Sequence, residues 1–240
     1  MAKRYTILTV DSESTLTDKV ADFAATLSDR KGNIITSCAV LVRGIYDDPD
    51  NHPLFHNNQS GGIWTADNLN RRYQEYETML ESGARMLANV HAINNWLMMA
   101  KAQYDPVLTA YNLPFDVDKA QKTGINLSVF DKRFCLWSAS VSVWAQTRKY
   151  RQFILDNHLF KPVTKHGNMS YPTNAETMAR FILGDFNIPD EPHTALEDIL
   201  GYEKPILDRL LKRKSVKWLL TEPKPYAWRE FQVKDWYQPI

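Results

Sequence analysis

The sequence predicts an α/β domain, because three strand-like segments open the chain and helical segments alternate with further apolar runs after them. The first segment, Tyr5 to Val10, is rich in β-branched residues and is followed by Asp11, which is typical of a buried strand with an acid at its tip. The segments Val20 to Ser28 and Ile34 to Arg43 flank Gly32, whose backbone freedom suits a tight turn. The chain should therefore begin with three antiparallel strands.

The middle of the chain predicts a loop, helices and a further strand in that order. Ile45 to Trp64 carries many turn-forming residues without periodicity and indicates a long loop. Asn68 to Ala102 has apolar residues at helical spacing and predicts one or two amphipathic helices. Pro106 to Asn112 predicts a short strand, after which Phe115 and Asp116 should begin a helix.

The later segments are mostly helical in pattern. Phe134 to Trp144 fits a strand, a helix or both in turn, and its periodicity does not distinguish them. Asn174 to Leu183 predicts a helix with an N-cap asparagine. A further helix is expected from His193 to Leu211, with Asp198 about one and a half turns from its start.

Composition excludes several classes of protein. Twenty-nine Lys and Arg against 28 Asp and Glu leave a formal net charge of +1, which by itself indicates neither a nucleic-acid-binding nor a membrane-surface protein. The apolar run after the basic N-terminus is too short for a secretory signal, and Phe134 to Gln146 is far below the roughly 18 residues of a membrane span. Cys38 and Cys135 form no Cys-x-x-Cys pair, so neither a disulfide framework nor a zinc site is indicated. We expect a cytoplasmic protein with no membrane partner.

The last 29 residues differ from the rest in composition, which predicts a domain in residues 1–211 and an extension in residues 212–240. The extension combines Lys and Arg with Trp218, Tyr226 and Trp228, a mixture that can contact phosphates and stack on unpaired bases. The alternative is a folded extension whose aromatic rings pack on the domain. Both roles can hold together.

Three short segments carry four acids and one histidine: Asp11-Ser-Glu13, Asn112-Leu-Pro-Phe115-Asp116 and His193-Thr-Ala-Leu-Glu-Asp198. Period-two alternation places Asp11 and Glu13 on one side of the first strand. Mg²⁺ and Mn²⁺ prefer oxygen ligands, and two such ions about 3.5 to 4 Å apart can activate water and stabilise the leaving oxygen of a phosphodiester. A histidine beside the attacking water can take its proton.

Each of these residues also has a structural interpretation. Asp11 alone indicates a turn or cap residue, and Asp116 alone an acid favoured by the helix dipole. His193 alone indicates a helix cap, and Asp198 alone a solvated helix face. Their order along the chain favours the metal site, whereas four nearby acids should be solvated or salt-bridged: Asp18, Asp118, Glu176 and Glu197.

In order and spacing the three segments resemble the motifs of the DEDDh 3′-5′ exonucleases, the ribonuclease-H-like group that includes polymerase proofreading subunits, RNase T and oligoribonuclease. The resemblance covers about Tyr5 to Leu211 and implies a mixed β-sheet flanked by helices, with the extension after it. It implies that Asp11 bridges two Mg²⁺ or Mn²⁺ ions and that Glu13 and Asp198 hold the ion that activates water. Asp116 would help to fix the second ion.

The resemblance also assigns His193 as the general base. A relative of the tyrosine type would carry Tyr four residues before the last Asp, where this chain has Thr194. Thr15 would contact the 3′-terminal nucleotide and Phe115 would support the metal-bearing loop, with a packing role as the equal alternative for both.

Two positions depart from the family pattern. Leu16 stands where a glycine usually follows the first motif, and Leu113-Pro114 is an unusual filling of the second. Either could alter how the terminal nucleotide packs, but neither removes a ligand.

The function that the resemblance implies is metal-dependent hydrolysis of nucleic acid from its 3′ end, with single-stranded DNA favoured and nucleoside 5′-monophosphates released. One alternative is a 3′-5′ exoribonuclease or oligoribonuclease that trims RNA. Another is a non-catalytic module that binds nucleic acid or a polymerase subunit. The sequence has no polymerase region, so a proofreading role would require a polymerase partner, and a homodimer is the other assembly considered.

Overall fold

The computed structural model describes residues 5–15, 17–48, 66–159, 161–162 and 169–213. Its central element is a mixed six-stranded sheet with the spatial order β4-β3-β2-β1-β5-β6. The strands β1, β2 and β3 are antiparallel, whereas β5 and β6 run parallel to β1 and β4 runs parallel to β3. In chain order they are β1 (Thr6–Ser14), β2 (Val20–Asp29), β3 (Ile34–Val42), β4 (Met86–Ala88), β5 (Val107–Ala110) and β6 (Arg133–Cys135).

Eight α-helices are described around this sheet, together with one 3₁₀ turn (Leu127–Val129) and two π-helical turns (Val141–Ala145 and Ile199–Glu203). A two-stranded ladder, β7 (Lys161–Pro162) and β8 (Met169–Ser170), lies apart from the main sheet. The helices are α1 (Ala66–Ser82), α2 (Val90–Tyr104), α3 (Leu113–Thr123), α4 (Leu136–Ser140), α5 (Arg148–Asp156), α6 (Ala175–Leu183), α7 (Ala195–Asp198) and α8 (Lys204–Leu211).

Alternation along β1 separates two hydrophobic cores. Leu8 and Val10 belong to a cluster with residues of α1, α2 and α3, whereas Ile7 packs with residues of α4, α5, α6 and α8. Both clusters consist of fully or nearly fully buried side chains, as expected for a sheet covered by helices on both faces. The predicted α/β class with a mixed sheet flanked by helices is confirmed, and the strand order is compatible with a ribonuclease-H-like arrangement.

The predicted elements are largely present. The first three strands and their hairpin are confirmed, with Gly32 at a φ of 88° in the turn. The short strand before Asn112 and the helix after it are β5 and α3. The ambiguous Phe134–Trp144 segment is a strand followed by a helix and a π turn.

Two predictions need correction. The helical prediction for residues 68–102 missed β4, which follows a turn at Gly83 (φ 76°) and separates α1 from α2. The helix predicted to begin at His193 begins at Ala195, because His193 itself has a φ of 57°, outside the helical region.

Several sequence predictions fall on other parts of the chain. Most of the predicted loop from Ile45 to Trp64 lies outside the described residues, as does the extension beyond Arg213. Among the residues that are described, no helix has the length and apolar character needed to cross a membrane.

Candidate metal centre

The end of β1 carries the first two acids. Asp11 lies opposite Ala24 of β2, and Glu13 lies opposite Asp22. Because side chains alternate along a strand, Asp11 and Glu13 project to one face of β1 and Ser12 to the other. The predicted placement of the two acids on one side is therefore confirmed by the strand register.

Asp116 is held against β1 from the neighbouring helix. It lies in the first turn of α3, is 2 % exposed, and its Oδ1 accepts a hydrogen bond of 2.8 Å from Ser12 Oγ. Asn112, with a φ of 74°, and Pro114 in the first turn set the start of the helix. Burial raises the pKa of Asp116 to about 7, and the hydrogen bond from Ser12 opposes that rise.

The segment that carries His193 and Asp198 is fixed on β2 by a buried acid. Asp22 Oδ2 accepts the backbone N–H of Ala195 at 2.9 Å and the Tyr76 hydroxyl at 3.0 Å, and its Oδ1 accepts Arg85 Nε at 3.2 Å. Arg85 also pairs with Glu197 at 2.6 Å. This network ties the start of α7 to the sheet from two directions.

A second buried arginine supports the same segment from α1. Arg72 Nη2 donates to the carbonyl oxygens of Pro192 and His193, at 3.1 and 3.0 Å. The backbone N–H of His193 in turn hydrogen-bonds the Asp198 carboxylate. The left-handed backbone of His193 is thus held by contacts on both sides.

These supports bring three predicted site residues together. Glu13, His193 and Asp198 each offer one ligand atom, and these three atoms all lie within 4.8 Å of one another. The three come from the end of β1 and from the turn and helix that Asp22 anchors. Two carboxylates and one imidazole at this separation could hold a metal ion.

The remaining acids are linked to this cluster electrostatically. Burial raises the pKa of Asp11 well above its usual range, and the charges of Glu203, Asp116, Glu13 and Asp198 raise it further. Like charges this close in a buried site favour a bound proton or a bound cation, because either would relieve their repulsion.

Glu13 and Asp198 repel one another in the same way. Burial and then the charge of Asp198 raise the pKa of Glu13, whereas burial and then the charge of Glu191 raise the pKa of Asp198 to about 9. The positive charge of Arg72 lowers both pKa values but does not offset these causes.

Two carboxylate oxygens in the centre are buried without a hydrogen-bond partner among the described residues: Asp198 Oδ1 and Glu203 Oε2. A buried acceptor without a donor is costly, unless a ligand supplies the missing interaction. Oxygen ligands without thiolates match a hard divalent cation such as Mg²⁺ or Mn²⁺. The residues present therefore fit the ions that the sequence predicts.

His193 is suited to accept a proton. Burial, and then the positive charge of Arg72, lower the pKa of its imidazole to about 4. The ring is therefore neutral near pH 7, which is the form that a general base requires.

A pocket of about 350 Å³ opens beside Asp11. This volume lies within the range of about 300 to 1,000 Å³ that is typical of small-ligand sites. Both aromatic rings and acids line the pocket. Its lining is Asp11, Tyr111, Asn112, Trp137, Thr173, Asn174, Ala175, Glu191 and Glu203.

The two predicted substrate contacts lie in different surroundings. Thr15 is 1 % exposed, and its hydroxyl bonds Thr17 and the backbone of Lys19, which closes the turn after β1. Phe115 is 41 % exposed, with the Lys119 ammonium 5.0 Å from its ring centroid. Their proposed contacts with the 3′-terminal nucleotide and the metal-bearing loop stay predictions.

The four acids that were predicted to be solvated or salt-bridged form ion pairs, as expected. Asp18 and Asp118 pair with Lys122, Glu176 pairs with Arg180, and Glu197 pairs with Arg85. Sequence reasoning missed Asp22, Glu191, Glu203 and the two buried arginines. Each of these lies outside the three motifs, and no local spacing marks it.

Comparison of the sequence with protein-family models gives no match, and comparison with curated proteins gives none either. A function must therefore be inferred from the chemistry of the centre and from the motif resemblance.

Proposed function

We propose that this protein is a metal-dependent 3′-5′ exonuclease, which hydrolyses phosphodiester bonds of single-stranded nucleic acid and releases nucleoside 5′-monophosphates. DNA is the favoured substrate. The observation that carries the proposal is the convergence of Glu13, His193 and Asp198 within 4.8 Å, beside the half-buried Asp11 and an open pocket. Arg72 lowers the pKa values of Glu13 and Asp198 without offsetting the causes that raise them, whereas Asp22 forms a direct ion pair with Arg85 at 3.2 Å.

The side chains have distinct tasks in this reaction. Asp11, Glu13, Asp116 and Asp198 would hold two Mg²⁺ or Mn²⁺ ions, which when bound neutralise phosphate charge and lower the pKa of water. His193 takes the proton of the attacking water. The deprotonated water attacks the terminal phosphorus as the bond from phosphorus to the 3′ oxygen of the preceding nucleotide breaks. That oxygen takes a proton from solvent to become the new 3′ hydroxyl, and the nucleoside 5′-monophosphate is released.

The buried arginines have positioning roles. Arg72 holds the backbone of His193, so the imidazole stays beside the acids rather than turning to solvent. Asp22 and Arg85 hold the start of α7, so Asp198 keeps its place opposite β1. Neither arginine takes part in proton transfer, because Arg stays protonated.

A direct test uses the full chain with 5′-labelled single-stranded DNA, single-stranded RNA and dinucleotides, each with Mg²⁺ or Mn²⁺. We expect shortening from the 3′ end and a release of monophosphates, with DNA degraded fastest. Faster degradation of RNA or of dinucleotides would instead identify the exoribonuclease or oligoribonuclease alternative. Binding of oligonucleotides without any hydrolysis would identify the non-catalytic module.

Two acids on the same helix provide a matched pair of variants. Asp116→Asn should lower the rate at least about 100-fold, because a ligand at the reacting phosphate is lost. Asp118→Asn should leave the rate unchanged, because Asp118 is exposed and pairs with Lys122 at 2.9 Å. Equal rates for the two variants would refute the proposed function.

The remaining expectations belong to this proposal. The 3′ end of a nucleic acid is the expected partner, and a polymerase partner or a homodimer stays a prediction. The cytoplasmic location also stays a prediction, based on the two free cysteines, Cys38 and Cys135.

A further inference from the structure

Glu203 is a buried acid of the centre that the sequence motifs do not contain. It is 2 % exposed, lies at the end of the π turn that follows α7, and lines the pocket together with Asp11. Its Oε1 accepts the backbone N–H of Tyr111 at 3.0 Å. Glu203 therefore connects the end of β5 with the helix that carries Asp198.

The π turn explains how Glu203 reaches this position. In a regular α-helix of 3.6 residues per turn, a residue five positions after Asp198 would point about 140° away from it. Here the N–H of Lys204 bonds the carbonyl of Ile199, five residues earlier, so the turn is wider. Widening turns Glu203 back toward the face of Asp198, and such turns are frequent at functional sites.

The second oxygen of Glu203 points to a ligand. Oε2 is buried and has no hydrogen-bond partner among the described residues. A carboxylate with only a structural role would lose stability by leaving an acceptor unsatisfied in a dry site. The charge of Glu203 is also close enough to Asp11 and Asp116 to interact with both.

We propose that Glu203 is a fifth carboxylate of the metal centre, which contributes Oε2 to the ion held by Asp11 and Asp116. This inference rests on the proposed function, since it takes the centre to bind divalent cations. Glu13 and Asp198 would then hold the ion beside the His193 imidazole, and Asp11, Asp116 and Glu203 would hold the other ion. The contact from Tyr111 orients the Glu203 carboxylate for this role.

The substitution Glu203→Gln separates a ligand from a structural acceptor. The amide oxygen can still accept the N–H of Tyr111, so the link to β5 is kept, but the negative charge is lost. Glu191→Gln is the matched control. Glu191 lines the same pocket, and its substitution removes the same charge, but Glu191 is not among the described residues with a buried, unpartnered side-chain oxygen.

The experiment is a titration of the full chain with Mn²⁺ in the absence of nucleic acid. Calorimetry and electron paramagnetic resonance measure the binding. Wild type should bind two ions. Glu203→Gln should weaken one of the two sites at least about tenfold and leave the other within about twofold. Glu191→Gln should weaken binding less than about threefold, because it removes a nearby charge but no ligand oxygen.

Each outcome decides something different. Two unchanged sites in Glu203→Gln, or an equal loss in Glu191→Gln, would overturn the role of Glu203 while leaving the proposed function in place. No binding of Mn²⁺ by wild type would overturn both. If Glu203→Gln does not fold, judged by far-ultraviolet circular dichroism, anomalous scattering from Mn²⁺-soaked wild-type crystals decides: an ion at coordination distance from Glu203 supports the role, and an ion elsewhere overturns it.

Discussion

Two acids on neighbouring strands lie in different electrostatic surroundings: Asp22 pairs with an arginine, whereas Asp11 is surrounded by other acids. Asp22 on β2 is fully buried and is surrounded by Arg85, the Tyr76 hydroxyl and the N–H of Ala195. Asp11 on β1 lies two residues along the ladder, since Asp11 pairs with Ala24, but its nearest charges are other acids. The same sheet thus holds one compensated and one uncompensated acid.

If the proposed function holds, this difference separates a structural carboxylate from a metal ligand. Burial raises the pKa of Asp22, but Arg85 and the hydrogen bonds from Ala195 and Tyr76 oppose the rise. For Asp11 the largest charge effects come from other acids, Glu203 first, and they raise the pKa further. A site that keeps uncompensated acids in a dry environment loses stability in the absence of a ligand and gains affinity for a cation.

The largest effect is expected where the compensation of Asp22 is removed. Arg85→Met leaves a buried carboxylate without its cation and also releases Glu197. Breaking a buried pair in this way typically costs about 3 to 5 kcal/mol. Urea unfolding followed by circular dichroism measures the loss directly.

The control for this variant is an exposed ion pair. Lys122→Met removes the contacts with Asp18 and Asp118, which are solvent-accessible, so the free energy of unfolding should change little. A cost for Arg85→Met as small as that for Lys122→Met would mean that Asp22 is not compensated in the way described.

The second prediction is that stability depends on pH through the acids that have no compensating cation. Asp198, with a pKa raised to about 9, keeps its proton when folded at pH 7 but loses it when unfolded. Because the folded state binds more protons, stability is present below the unfolded pKa and is lost as pH rises through the folded value. Between pH 7 and pH 9 the metal-free protein should lose on the order of 2 kcal/mol.

Measuring between pH 7 and pH 9 avoids the contribution of His193, which changes stability in the opposite direction. His193, whose pKa is lowered to about 4, adds stability as pH rises, but that gain is complete near pH 7. Asp198→Asn should flatten the slope between pH 7 and pH 9, whereas Asp118→Asn should not. Stability that stays constant over this range in the metal-free wild type would contradict the assignment of Asp198 as an uncompensated acid.

Local patterns in the sequence predict most of the strands and helices. The strands of the hairpin, β5, α3 and α6 follow from apolar periodicity and from turn residues, because these features act over a few neighbouring residues. The strand β4 is only three residues long, and its parallel pairing with β3 depends on a contact that the local sequence does not encode. The helical spacing of apolar residues on both sides of β4 made the whole segment resemble helix.

The centre was predictable only in part for the same reason. The motifs identify Glu13, His193 and Asp198, which the structure brings together. Glu203 depends on a π turn, and helical spacing from Asp198 would have placed it on another face. Arg72 and Asp22 contact the centre from distant parts of the chain, so only the tertiary structure reveals them.

The smallest expected effect tests how Asp116 is oriented. Ser12→Ala removes the 2.8 Å hydrogen bond to Asp116 Oδ1 without changing any acid. Loss of a residue that orients a ligand should weaken Mn²⁺ binding about tenfold, and calorimetry measures it. Ser14→Ala, a similarly buried serine two residues along β1, should change the affinity less than about twofold. If the two serine variants bind Mn²⁺ equally well, the Ser12 hydroxyl does not orient Asp116, whose carboxylate also accepts the backbone N–H of Ser12 and its own backbone N–H.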